Sequence, residues 1–227
     1  VKYLKNFVFS AIFCAGSVIA GPIAGHAAAT VDQSYLPSGS AGALTIDSNT
    51  TGRGQSFTVG MDGFLTGVRV NVSDKGNFGN TPNATLDVGI FDVTGGAITG
   101  GALRSKTVGR DFGSNSFSDF KLAEVIFDTS LAVSVGDTLA IVLSGVNAGQ
   151  NDGFFWASGG DAAGYGGGQP FSEIGGSLVQ AGSSDYQFQT LVNPTVVNPP
   201  NIPVPGSLPL LLEGLGSLGL LRLSARR

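Results

Sequence analysis

Alternation of apolar and polar residues dominates the middle of this chain. Val68, Val70 and Val72 alternate with Arg69, Asn71 and Ser73, and Leu86, Val88 and Ile90 alternate with Thr85, Asp87 and Gly89. Leu139, Ile141 and Leu143 repeat the pattern, Ala123, Val125 and Phe127 form a fourth set, and Tyr186, Phe188 and Thr190 mark a last strand. A period of two gives each segment one apolar and one polar face, as in antiparallel strands with one side on a core. Asp62-Gly63, residues 74–83, Gly95-Gly96, Gly100-Gly101, Gly113-Ser114-Asn115 and Gly136-Asp137 punctuate these runs and read as turns. No helical period occurs before Leu208. Short strands with regular turns predict an all-β fold, an antiparallel β-sandwich over residues 30–192, with Val70, Val88, Ile90, Phe127, Ile141 and Phe188 buried.

The two ends break this pattern. Lys2 and Lys5 precede an apolar run over residues 7–20, and Gly25-His26-Ala27-Ala28-Ala29 supplies small residues. That three-part arrangement predicts a signal peptide over residues 1–29, cut by signal peptidase after Ala27 or Ala29. At the other end an apolar run opens at Leu208 and closes at Leu221, with Arg222, Arg226 and Arg227 behind it. The run has no polar face, and arginines beside an apolar segment favour the cytoplasmic side. It predicts a single hydrophobic helix that holds the preceding chain across the membrane. As a helix its 14 residues span about 21 Å against a hydrocarbon core of about 30 Å. Glu213 inside it costs about 2.5–3.5 kcal/mol on insertion scales. A short span of this kind suits a temporary hold. Between the sandwich and the tail, residues 193–202 are rich in Pro and Asn. They predict an extended linker of about 3.1 Å per residue.

Ile202-Pro203-Val204-Pro205-Gly206-Ser207, followed by Leu208-Pro209-Leu210-Leu211-Leu212 and the arginines, resembles a PEP-CTERM sorting signal of the Val-Pro-Leu-Pro-Ala type. It departs from that type at Ile202, Val204, Gly206 and Glu213. The resemblance covers residues 203–227. It implies handling by an exosortase-type membrane enzyme that cuts near the motif, in a Gram-negative, polysaccharide-producing bacterium. The expected path is export, a transient stay at the inner membrane, then the outer surface or extracellular matrix. An ordinary C-terminal anchor is the plainer alternative. A second resemblance rests on Gly54-Gln55-Ser56-Phe57-Thr58-Val59, Leu65-Thr66-Gly67-Val68, Ile90-Phe91-Asp92-Val93 and the segment from Val135 to Leu143. These are similar to a jelly-roll-like domain of bacterial surface proteins, some of whose relatives in build bind carbohydrate.

Composition narrows the chemistry. Cys14 and His26 are the only cysteine and histidine, and both fall in the predicted signal peptide. The remaining body has no thiol or imidazole, so Ser-His-Asp and Cys-His nucleophiles and His- or Cys-ligated zinc are excluded. Residues 30–207 hold seven Lys plus Arg against fifteen Asp plus Glu, a net charge of −8. An acidic surface argues against nucleic acid as a partner.

Three sets of side chains remain. Trp156 and Tyr165, with Asp152 and Asp161 near them, suit carbohydrate binding, such as to an exopolysaccharide, because aromatic faces stack on sugar C–H groups while carboxylates accept from hydroxyls. The alternation of Phe154 and Trp156 instead favours one core-facing side of a strand, followed by a flexible glycine loop. Asp74, Asp152 and Asp161 on turns are calcium candidates, without EF-hand or nonapeptide spacing, so a cofactor is not expected unless calcium is one. Glu124 and Glu173 are the only glutamates of the body, and a carboxylate pair would permit glycan hydrolysis. The expectation is a non-enzymatic surface or matrix protein, with a carbohydrate-binding module and a glycan-active enzyme as the alternatives.

Overall fold

A single 13-residue strand, β4 (Gly63–Lys75), ties one half of the molecule together. The computed structural model describes residues 28–38, 42–76, 84–112, 119–150, 152–159, 164–174, 176–182 and 184–195. Within them lie β1 (Thr30–Tyr35), β2 (Gly42–Ile46), β3 (Gly52–Thr58), β4, β5 (Thr85–Thr94) and β6 (Ala97–Val108). They continue with β7 (Lys121–Val133), β8 (Thr138–Val146), β9 (Gly153–Ser158), β10 (Pro170–Ile174), β11 (Ser177–Gln180) and β12 (Phe188–Pro194). All pairings are antiparallel and form two sheets.

The first sheet runs β1-β12-β4-β9-β2, with β7 on the other edge of β4. Val68 and Val70 of β4 face β12, while Val72 to Lys75 face β9, so β4 serves two neighbours in turn. The second sheet runs β11-β10-β3-β8-β5-β6. Most connections pass from one sheet to the other. The exceptions within the second sheet are the β5–β6 and β10–β11 hairpins. In the β5–β6 turn Gly95 and Gly96 have φ of 62° and 81°, and Thr94 pairs with Ala97. A two-residue hairpin turn matching strand twist needs positive φ at both positions, which glycine adopts without penalty.

The alternating residues of both sheets meet in one core. Val68, Val70, Val72, Phe154, Trp156 and Phe188 come from the first sheet, and Phe57, Leu86, Val88, Ile90, Leu139, Ile141 and Leu143 from the second. Phe57 and Phe188 touch across the gap with ring centroids 6.1 Å apart. All six residues expected in the core are buried. The described part is therefore all-β and sandwich-like. Among the described residues no helix is long and apolar enough to cross a membrane. The predicted signal peptide up to residue 27, the tail over residues 203–227 and Gly113-Ser114-Asn115 lie outside the described residues.

Two expectations need correction. Gly100-Gly101 is no turn between strands but part of a bulge inside β6, because residues 100–103 lie between the pairs Asp92↔Thr99 and Ile90↔Arg104. The last strand also runs past 192. Asn193 and Pro194 pair with Phe64 and Gly63, and the Thr195 N–H donates to the Asp62 carbonyl. A proline ends the strand here because its missing N–H faces no further partner.

Antiparallel strand order places the start of β1 beside the end of β12. Thr30 at the start of β1 pairs with Val192 near the end of β12, beside the Gly63 end of β4. The connections after Lys75, Val108, Val146 and Ile46 all lie at the opposite end. If the core is continuous, Ile141→Ala should lower unfolding free energy by about 2–5 kcal/mol in denaturant titrations. A loss under about 1 kcal/mol, the range of a surface substitution, would show that β8 does not face the core.

Candidate functional site

Trp156 has no exposed surface. It stacks on Tyr186 at 4.4 Å with an interplanar angle of 19°, and its indole N–H donates to the Gln187 carbonyl at 2.9 Å. One face and the polar edge of the ring are thus engaged and the whole ring is enclosed, so no sugar can stack on it. This overturns the carbohydrate role assigned to Trp156 and leaves the core reading. The whole of β9 is buried, which is why its apolar residues, Phe154, Phe155, Trp156 and Ala157, show no alternation.

Tyr165 is half-buried and anchors the glycine-rich segment after β9. Its ring meets Phe188 edge-on at 5.1 Å, and its hydroxyl donates to Gln33 Oε1 at 2.8 Å. Burial, with the nearby charges of Asp32 and Asp185, pushes its phenol up to about 12. Asp185, read as nothing in particular from sequence, is the hub of this region. Its carboxylate accepts from the Tyr165 N–H at 2.7 Å and from Gln55 Nε2 at 3.0 Å, while Gln55 Oε1 accepts from the Tyr186 N–H at 2.9 Å. Buried amide and carboxylate groups are satisfied by one another and by backbone, as low polarity demands. Gly159 fits here because a Cβ would lie 1.9 Å from the Tyr35 hydroxyl.

At the end of the fold away from the termini, five charged side chains converge. Arg110, beyond β6, sits between Asp74 at the end of β4 and Asp152 before β9, with N···O distances of 3.6 and 3.9 Å. Asp74 and Asp152 are almost wholly buried. Arg110 also donates to the Lys75 carbonyl at 3.0 Å and lies 5.7 Å from the Phe154 ring centroid, a cation–π distance. The Phe112 N–H donates to Asp74 Oδ2 at 3.1 Å, and the Phe112 ring packs edge-on against Phe154. Beside this group Lys75 pairs with Asp47, which also accepts from the N–H groups of Asn49 and Thr50.

Burial raises the Asp74 carboxyl above its ordinary value, against the lowering effects of the Phe112 N–H and Arg110. Burial also raises Asp47, but the Lys75 hydrogen bond, the Asn49 N–H, the Lys75 charge and the Thr50 N–H bring it below its ordinary value. The Oδ1 atoms of Asp74 and Asp152 have only the long ion pairs to Arg110 and no hydrogen bond. The positive charge beside these two calcium candidates is that of the guanidinium. The arrangement is a clamp that fixes the segment following β6 onto the corner of β4 and β9.

The other predicted positions do not join these. Asp161 and the sorting-motif residues Pro203, Val204, Pro205, Gly206 and Ser207 lie outside the described residues. Glu124 sits on β7 in the first sheet and pairs with Arg69 at 2.6 Å, while Glu173 sits on β10 in the second and accepts from Thr51. The two glutamates are therefore on different sheets and do not face each other. Among the described residues no group of three His, Cys, Asp or Glu side chains could hold a metal ion. No protein-family model matches the chain, and no curated protein was found similar to it.

Replacing Arg110 by Met should leave two buried carboxylates without a counter-charge and cost about 3–5 kcal/mol. Asp74→Asn, which keeps an acceptor for the Phe112 N–H, should cost clearly less, and equal losses in denaturant titrations would refute the clamp. Tyr165 gives a pH test. Because its folded value is raised, its contribution is complete below the unfolded value of 10.0 and is lost as pH rises toward about 12. Stability of Tyr165→Phe should then fall less over that alkaline range than that of the wild type, followed by tyrosinate absorbance and circular dichroism.

Proposed function

We propose that this chain is a non-enzymatic protein of the cell surface or extracellular matrix, a jelly-roll-like domain delivered by a signal peptide and a C-terminal PEP-CTERM-type sorting signal. Signal peptidase removes residues up to Ala27 or Ala29. The run from Leu208 to Leu221, oriented by Arg222, Arg226 and Arg227, holds the domain at the inner membrane until an exosortase-type enzyme acts near Pro203 and Pro205. The one observation that supports this reading best is the pairing of β1 with β12. It sends the segments before Thr30 and after Pro194 out of the same end of the domain. A protein held at a membrane first by its leader and then by its tail has both tethers on one side, and its opposite end free.

The passage of most connections from one sheet to the other supports a jelly-roll-like wrap for the domain. The linker suits the processing step on physical grounds. Its prolines disfavour helix, and an extended segment enters an enzyme groove without first unwinding from a helix. With Trp156 enclosed, the exposed face offers no tryptophan for sugar stacking, and an adhesive or structural role is the reading retained.

Mass spectrometry of the protein recovered from the cell surface tests this proposal. The C-terminus should lie near Pro205, without the leucine-rich run. Alanine at both Pro203 and Pro205 should leave export intact and trap an uncut form in the inner membrane. Recovery of the surface form with residues 208–227 complete would make the tail a plain anchor.

A further inference from the structure

The seam between the sheets on the side of β6 and β7 opens into a cleft that the proposed function does not use. Two irregularities create it. In β6, residues 100–103 stand opposite Phe91 alone, and in β7, residues 127–130 stand opposite Thr66 alone. Each strand therefore bulges outward at the edge of its own sheet, and bulges re-aim side chains at such edges. Arg104 joins the two by donating to the carbonyls of Thr129 and Ser130 at 2.7–3.0 Å. Beyond this tie the strands enclose a half-open space of about 420 Å³ lined by Asp92, Val93, Leu103, Leu131, Asp137 and Leu139, among others.

The lining combines aliphatic surface with two fixed carboxylates. Asp92 Oδ2 accepts from the hydroxyls of Thr94 at 2.9 Å and Thr99 at 3.5 Å, and Asp137 Oδ2 accepts from the Ser134 N–H at 2.8 Å. Both are held by local turns, and neither Oδ1 has a hydrogen-bond partner among the described residues. No lysine or arginine lines the space, and neither does an aromatic ring. A sugar would find no ring to stack on, and a metal ion would find only two carboxylates. A positive charge carried on an aliphatic stem matches both the acid and the leucines. Because the space opens along the outside of the seam, a polypeptide can lie outside it with one side chain inserted.

We propose that the cleft receives a lysine or arginine side chain of a partner protein, its cation on Asp92 and Asp137 and its methylenes against Leu103 and Leu131. The test uses the full chain in detergent, with leucine methyl groups followed by NMR during titration with the N-acetyl methylamides of lysine and of norleucine, and with cadaverine. The lysine compound should shift Leu103 and Leu131, and the uncharged norleucine compound should not. Joint Asp92→Asn and Asp137→Asn should weaken binding about tenfold or more, since hydrogen bonds to charged groups are the strong ones. Glu173→Gln, an acidic residue on β10 away from the cleft, should change nothing.

Absence of shifts, equal binding of norleucine, or lysine binding that survives the double substitution would each overturn the proposal. Tighter binding of cadaverine than of the lysine compound would overturn the choice of a polypeptide partner. Should the double variant fail to fold, Leu103→Asn at its exposed position must weaken lysine binding instead, and unchanged binding there would overturn the proposal equally.

Discussion

The buried stretch Asp185-Tyr186-Gln187 is the knot on which both sheets depend. Gln187 lies where β12 gives way to β9 along the edge of β4. Its carbonyl accepts from the Asn71 N–H and the Trp156 indole, and its own N–H donates to the Ala157 carbonyl at 2.8 Å. Its side-chain oxygen accepts from Asn71 Nδ2 at 2.8 Å. Two residues earlier, Asp185 reaches Gln55 of β3 in the second sheet. One three-residue segment thus closes the gap left in the first sheet and fastens the second sheet to it. Buried polar groups of this kind are strongly position-dependent, because each lost partner leaves another group unsatisfied. They specify one alignment of the two sheets, whereas the aliphatic core alone would tolerate several.

The edges are handled by different means. β7 and β6 are edge strands of different sheets that run close together, and open backbone on such strands invites pairing with other chains. Arg104 caps the carbonyls of Thr129 and Ser130, and Lys106 pairs with Asp128 across the same seam. At the far end Arg110 does comparable work in a buried setting, drawing together β4, the segment after β6 and the start of β9. The few basic residues of the body are thus spent on joining elements, which leaves an acidic surface around them.

Much of the fold was legible because β4, β5 and β7 each bury mainly one face, and alternation then survives in sequence. β8, buried on both faces from Leu139 to Leu143, still alternates larger and smaller apolar residues. β9 escaped that rule because every one of its residues is buried, and β6 because none of its residues is. The alternation of Phe154 and Trp156 already favours the core reading of Trp156 over a surface platform, and its full burial agrees with that. The Gly100-Gly101 pair carried a genuine irregularity, but glycine marks bulges as well as turns. The Arg110 clamp was hidden for another reason. Asp74, Arg110 and Asp152 are distant in sequence, and only strand order brings them together. The one hint was Arg110 standing among few basic residues in a segment of turn-forming ones.

Pairing of the first strand with the last has a kinetic meaning. The Gln33 N–H donates to Thr190 Oγ1 across 157 positions of sequence, and β4 acquires its neighbour β12 only when the chain is nearly complete. Folds dominated by such distant pairings close slowly, in milliseconds to seconds, because loop entropy is lost before the contacts reward it. The first sheet therefore cannot be completed while residues 188–194 are still inside the ribosome. Until they emerge, the β4 edge that awaits β12 stays open to whatever strand is nearest. A segment that keeps each chain apart from its neighbours during that interval lets β12 arrive before a foreign strand does.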